Sequence, residues 1–563
     1  MRLLPIVVAL TALGVALPAW ADKRLDKAVA KAERQLAEGK EDDAVKTLTK
    51  AVKKARRDPE APLVLARFLS GLGRLDDAGA ALAEAAARST GGPPAVRARV
   101  LAAQSAFALR TGTVAEAEDL ARQAVEAEAE PGVASLAALA RAEARAGAPG
   151  ASTTAAQATE AGPGSAVAHL ASGDALLVQG LAQEAEAAYR RASEIEPGSA
   201  LALAGLARAL AAQGRAAEAL ETAHAATEAD PNRAEALAAV GVAALATDPE
   251  DTSSDAAAAV QQATFLEPGS ALVKLEVGRV FESREQLDQA ETAYEEAAAL
   301  DPTWAAPQVA KLALRLREGD TEGTLAGLRA LPDPMRATGG AQLLLGRALL
   351  EAGDSAEAVA ALDRAATALP GRAEAHAAHG DAAEAAGEPT VAADAYGRAV
   401  EGEPDNLRYR LRHGALLARD GRFDEALAEL LEVTSRPEGR DPETLMDLGA
   451  VYRSFEPPRV EDAVAAYEEA LKLDPGNGDA ALGVAQSYRA ARQWERAIEA
   501  YERLPDVDPR REGESLLGVA WCYCLSRDAY KARFYAGLAA QAGANMRKLR
   551  AALSDSCRTA RDN

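Results

Sequence analysis

Residues 442–475 read PETLMDLGAVYRSFEPPRVEDAVAAYEEALKLDP. Leu445, Leu448 and Tyr452 are three or four residues apart, the spacing that places side chains on one face of an α-helix. Gly449 follows Leu448, where a missing side chain lets a second helix come close. Beyond Pro457-Pro458 a second run carries Ala463, Tyr467 and Ala470 at the same helical spacing and stops at Asp474-Pro475. Proline cannot continue that helix, because it has no N–H and its ring clashes with the preceding turn. The stretch predicts two short helices joined by a turn, each with one apolar stripe that it cannot bury alone.

The same punctuation recurs upstream and downstream. Glu196-Pro197, Asp230-Pro231, Glu267-Pro268, Asp301-Pro302, Leu369-Pro370, Glu403-Pro404, Asp474-Pro475 and Asp508-Pro509 place their prolines one or two periods of 34 residues apart, with occasional three-residue insertions. Between them the fill repeats: Lys274, Val277-Gly278 and Phe281 lead to Ala290, Tyr294 and Ala297, and Gly173, Leu176 and Gly180 lead to Ala185, Tyr189 and Ala192. A 34-residue helix-turn-helix unit with bulky, Leu-Gly, aromatic and Ala positions resembles the tetratricopeptide repeat. The resemblance implies an all-α, right-handed superhelical solenoid, here of about fifteen repeats starting between Leu25 and Arg511. Residues 22–545 read as the array, clearest over 166–302 and 339–509, followed by a basic capping tail over 546–563. Glycines 180, 214, 353, 387 and 421 fall where the first helix of a unit must turn into the second, a position that favours a residue tolerant of positive φ.

Composition agrees with this organisation. Of 563 residues, 4% are aromatic, too few for the pleated faces of large β-sandwiches or barrels. The net charge of −22 opposes attraction to phosphate backbones, so nucleic acid is not an expected partner. Arg2, the apolar run Leu3–Leu17 and Ala19-Trp20-Ala21 form a secretory signal (1–21) with expected cleavage before Asp22; an uncleaved anchor is the alternative, although fifteen apolar residues are short for a bilayer span. The expected location is a bacterial periplasm.

Signatures of catalytic chemistry are missing from the sequence. There is no G-x-x-x-x-G-K-[ST], H-E-x-x-H or G-x-S-x-G, and the carboxylates are too numerous for any pair to be informative, so neither an enzyme activity nor a cofactor is expected. His376 and His379 lie three apart on one predicted helix and His413 lies one repeat after His379, a weak metal candidate set against the plainer reading of packed histidines. Cys522, Cys524 and Cys557 cluster near the C-terminal end; in an oxidising compartment Cys557 is expected to bridge to Cys522 or Cys524.

The resemblance also implies a concave surface lined by the first helix of each unit, with the ninth position of the unit, immediately after the glycine position, pointing into it. That place is taken by Arg67, Arg141, Arg208, Arg279 and Arg347, and by Asp174 and Asp381 in other units. Two readings stand side by side. The arginines either form internal ladders, Arg141–Asp174–Arg208 and Arg347–Asp381, or make a track for a protein partner with acidic or carboxylate-bearing segments. The functional expectation is a non-enzymatic protein–protein scaffold or assembly factor of the cell envelope. The alternative is a substrate-binding or chaperone-like module serving an exported enzyme or polysaccharide machinery.

Overall fold

A chain rich in alanine and leucine, with proline and glycine marking its turns, has one ready outcome in water, short helices that pack on their neighbours. The computed structural model describes residues 23–56 and 58–544, and over these the chain forms 31 α-helices, with no strand among the described residues. They pack as consecutive antiparallel pairs, so the expected all-α solenoid of helix-turn-helix repeats is the architecture observed. The signal segment and the basic tail lie outside the described residues, as does Cys557. No described helix is long and apolar enough to cross a membrane.

The described chain divides into two compact units, the first ending at Ala378 and the second beginning at His379. In both, the pair contacts follow from residue size. Tyr189, on the second helix Ala182–Ile195, is fully buried between the first helices Ala166–Val178 and Ala200–Ala212. A Cβ on Gly173 would meet its ring at 2.6 Å, and a Cβ on Gly205 would collide with the same ring from the other side. Tyr467 sits likewise between Gly449 and Gly483 in the second unit. The glycine inside a first helix is therefore one half of a socket into which the tyrosine of a second helix wedges. The turn glycines behave as expected, with Gly180 and Gly421 at φ of +80° and +81°. Glu285, Arg492 and Arg527 adopt the same left-handed conformation in repeats that lack the glycine.

The first unit also touches itself at long range. Asn232 Nδ2 donates to Gly71 O (3.1 Å), Arg110 Nε to Glu267 (2.7 Å), Val114 N to Asp301 Oδ2 (2.8 Å) and Gly371 N to Gln179 O (3.1 Å). The first three of these join residues 161, 157 and 187 positions apart, about five 34-residue periods. Each contact sets the turn inside one repeat, or its edge, on the loop that closes a repeat about five units further on. The ribbon of repeats in this unit thus coils until successive turns meet along a seam. Backbone meets backbone at one point of the seam: a Cβ on Gly371 would lie 2.5 Å from the carbonyl carbon of Gly180. Two of the acid-proline dipeptides that end second helices supply the seam's side-chain acceptors, Glu267 and Asp301, beside the carbonyls of Gly71 and Gln179.

Candidate functional site

Coiling determines what the first helices of the first unit face. Arg141 and Arg145 lie on the helix Val133–Ala146, and Arg145 reaches across to residues several repeats away. Arg145 bonds Glu235 at 3.2 Å and lies over the ring of Trp304 at 5.5 Å. Glu235 lies on the first helix Ala234–Thr247, three repeats further on, so the first helices of this unit face one another and line the inner side of the curve.

Four of the five arginines expected there have defined surroundings in this unit. Arg141 Nε donates to Asp174 Oδ2 at 2.8 Å; burial by itself would lower its pKa, but Asp174, aided by Glu235, outweighs burial and raises it. Arg279 pairs with Glu276 on its own helix at 2.9 Å, and Arg347 pairs with Glu374 at 2.7 Å. Arg67 is exposed, yet the protein surrounding its guanidinium pulls its pKa down, with Glu196 and Glu60 offsetting only part of this. That combination suits a side chain in a concavity, open to water and crowded by protein at once. Glu60 is itself committed to Arg99, at 2.5 Å.

Arg208 differs from the rest. Its Nε and Nη2 atoms are buried and have no hydrogen-bond partner. The ladder reading holds for the pair Arg141–Asp174 and stops there, because the second oxygen of Asp174 accepts a 2.7 Å hydrogen bond from the Tyr189 hydroxyl. Burial and the neighbouring Asp174 raise the Tyr189 pKa well above its ordinary value, so this hydroxyl remains a donor. Arg347 turns to Glu374, while in the second unit Asp381 accepts from Tyr396 at 2.5 Å and faces Arg412 at 3.7 Å. Tyr189 and Tyr396, each packed against a glycine of the preceding helix, also claim the acid that follows that glycine. The signal was present in the sequence as an Asp fifteen residues before a Tyr, at Asp174/Tyr189 and Asp381/Tyr396. Glu235 was not singled out by sequence. Burial would raise its pKa, but Arg233, Arg145, Arg141 and Arg208 prevail and hold it at about 2.

The histidines separate into local roles. His376 is buried, with Nε2 2.9 Å from Pro370 O, and His413 Nδ1 lies 3.2 Å from Glu429. His379 is half-buried on the helix Ala373–Ala386. Among the described residues no group of three or more His, Cys, Asp or Glu is arranged to hold a metal ion. Cys522 is a buried free thiol whose pKa burial pushes up to about 11. The bridge expected for Cys557 falls outside the described residues.

Profiles of the tetratricopeptide repeat match residues 35–104, 176–242 and 459–519, and further profiles of the same repeat match 253–303, 329–376 and 377–440. The chain belongs to the tetratricopeptide-repeat family, whose repeats form protein–protein interaction scaffolds. Among solved structures, the Cut9–Hcn1 hetero-tetramer of APC/C is similar at 14% identity over 89% of this chain and 96% of that one, with a TM-score of 0.43. Pseudomonas aeruginosa pilF matches at 25% identity over 35% of this chain and 88% of its own, TM-score 0.27. The C-terminal part of a repeat protein from Cytophaga hutchinsonii matches at 17% identity, covering 40% of this chain and 92% of its own, TM-score 0.34. No curated protein matches the chain.

Proposed function

We propose that this protein is exported to the bacterial envelope and acts there as a non-enzymatic assembly scaffold, holding an acidic segment of a protein partner on the concave face of its first unit. One observation carries the reading. A chain with net charge −22 gathers arginines at the inward-facing position of its first helices and leaves three of them, Arg67, Arg279 and Arg347, exposed. Guanidinium groups in such a setting recognise carboxylates by paired hydrogen bonds as well as charge. Because the ribbon meets itself along the seam, a segment that lies on this face enters as an extended strand of chain.

Replacing Arg208 and Arg279 together by glutamine tests the proposal in pull-downs from envelope extracts. Capture of a stoichiometric partner should fall sharply in the double variant, and wild-type capture should weaken as salt is added. Undiminished capture by a folded double variant would remove the concave face at these positions from the binding surface.

A further inference from the structure

We propose that the helix pair Lys23–Ala37 and Glu41–Lys54 docks on an anionic phospholipid surface, held there by lysine charge. Of the chain's 13 lysines, eight fall between Lys23 and Lys54, and the next is Lys274. Residues 23–56 carry 11 Lys and Arg against 6 Asp and Glu, in a chain of net charge −22. On the second helix Lys46, Lys50, Lys53 and Lys54 recur at three- and four-residue steps along one exposed face, and Lys27 and Lys31 do the same on the first. Thr47 Oγ1 donates to Gln35 Oε1 at 2.8 Å, which fixes the antiparallel register and sets Lys27 level with the end of the second helix. No acid lies between Asp43 and Asp58, and four of the six acids gather at the opposite end of the pair, at Glu38, Glu41, Asp42 and Asp43.

These cations are left open. Lys27, Lys31, Lys50, Lys53, Lys54 and Arg56 are exposed and make no ion pair among the described residues. Three of the four other described lysines, Lys274, Lys311 and Lys531, are paired with acids. Solvation of a terminal repeat asks only for a polar outer face. Here Lys27 and Lys31, Lys46 and Lys50, and Lys50 and Lys54 are like charges four residues apart, each pair weakening its helix unless an outside anion lies close. Lysine suits a headgroup layer, because its ammonium is a compact charge on a flexible stem without the planar fork by which arginine grips one carboxylate. The charge runs along helices about 20 Å long, the scale of a surface. The apolar stripes, Leu25, Ala32 and Leu36 with Ala44, Leu48 and Val52, are buried together and are not available to insert, so adsorption is electrostatic and reversed by salt. The acidic remainder of the chain is repelled by the same lipids, which confines contact to this pair.

Flotation of the purified protein with vesicles tests this, using phosphatidylcholine alone and phosphatidylcholine with about one third phosphatidylglycerol, in about 0.1 M salt. The anionic vesicles should be bound roughly tenfold or more tighter than the neutral ones and release the protein in about 1 M salt. Joint replacement of Lys27, Lys50, Lys53 and Lys54 by glutamine should weaken binding by about tenfold or more, with a melting point no lower than that of the wild type. A control that loses the exposed Arg329, Arg398, Lys472 and Arg503 instead has the same net charge and should bind as the wild type does. Equal or absent binding to the two vesicles, binding that survives the high salt, or equal losses in the lysine variant and the control overturns the proposal. Soluble polyglutamate bound as tightly as the anionic vesicles would also overturn it and assign the face to an acidic protein. The lysine variant should still capture a partner on the concave face, so failure of either proposal leaves the other standing.

Discussion

Arg110 and Glu267, 157 residues apart in sequence, meet as a buried ion pair in the first unit, with 2.6 Å between Nη2 and Oε1 and 4% of each side chain exposed. Arg110 also donates to Asn232 O at 2.9 Å and to Ser70 O at 3.2 Å, so one guanidinium joins three places on two turns of the coil. Removing one member of a buried pair leaves the other uncompensated, at a cost of about 3–5 kcal/mol. Arg110→Met should therefore lower the melting transition of the first unit markedly. Joint replacement of Arg110 and Glu267 by apolar residues should recover much of the loss. A loss in Arg110→Met of less than about 1 kcal/mol would show that the pair contributes little and that backbone contacts hold the seam.

The tyrosine sockets give a second expectation. Gly205→Ala places a methyl group against the ring of Tyr189, which is itself packed against Gly173, so the ring cannot retreat. Overpacking of this kind costs roughly 1–3 kcal/mol. Gly214→Ala differs, because its surroundings are open and its strain comes from φ of +74° alone. Near-ultraviolet circular dichroism and thermal melts of the two variants should separate a disturbed tyrosine environment in the first from simple destabilisation in the second.

The helix boundaries and the repeat period were legible in the sequence because proline, glycine and tyrosine each act within a few residues of their own position. Gly180, Gly353 and Gly421 were read as left-handed turn residues and all have positive φ. The seam was not legible. Glu267 and Asp301 look in the sequence like any acid before a helix-ending proline, and their partners Arg110 and Val114 lie more than 150 residues away. Curvature, set by small differences in packing between successive repeats, decides which of these acids finds a partner. The ladder Arg141–Asp174–Arg208 was legible for one rung and failed at the next, because a phenol hydroxyl competed for the carboxylate.

Glu235 makes the concave face sensitive to acid. Its carboxyl has a folded pKa of about 2 against an ordinary 4.5, so the unfolded chain binds more protons in that range. The stabilisation is complete above about pH 4.5 and is lost as pH falls towards 2, and its full size is on the order of 3 kcal/mol. Glu235→Gln should thus be less stable than the wild type at pH 7. The gap between the two should shrink by more than half at pH 3. A gap that stays constant with pH would place the effect in packing instead of charge.

For the thiols, Cys522 is buried and free, which leaves Cys524 as the expected partner of Cys557. Alkylation of unreduced protein from the exported fraction should label no thiol quickly while the chain is folded and one, Cys522, after unfolding. The N-terminal residue of that same protein is expected to be Asp22. Three labelled thiols on unfolding would show that the bridge does not form.

The central claim is that partners bind on the concave face of the first unit. Val167 and Val178 are 45% and 44% exposed and lie seven residues before and four after Asp174, on the same face of their helix. Phe265 is 86% exposed on the second helix of its repeat, Asp255–Leu266. A photo-crosslinking amino acid placed at position 178, and separately at 265, reads the binding face without touching any arginine. The account predicts a partner adduct from position 178 that disappears when Arg208 and Arg279 are changed to glutamine, and none from position 265. An adduct from position 265 alone would contradict it.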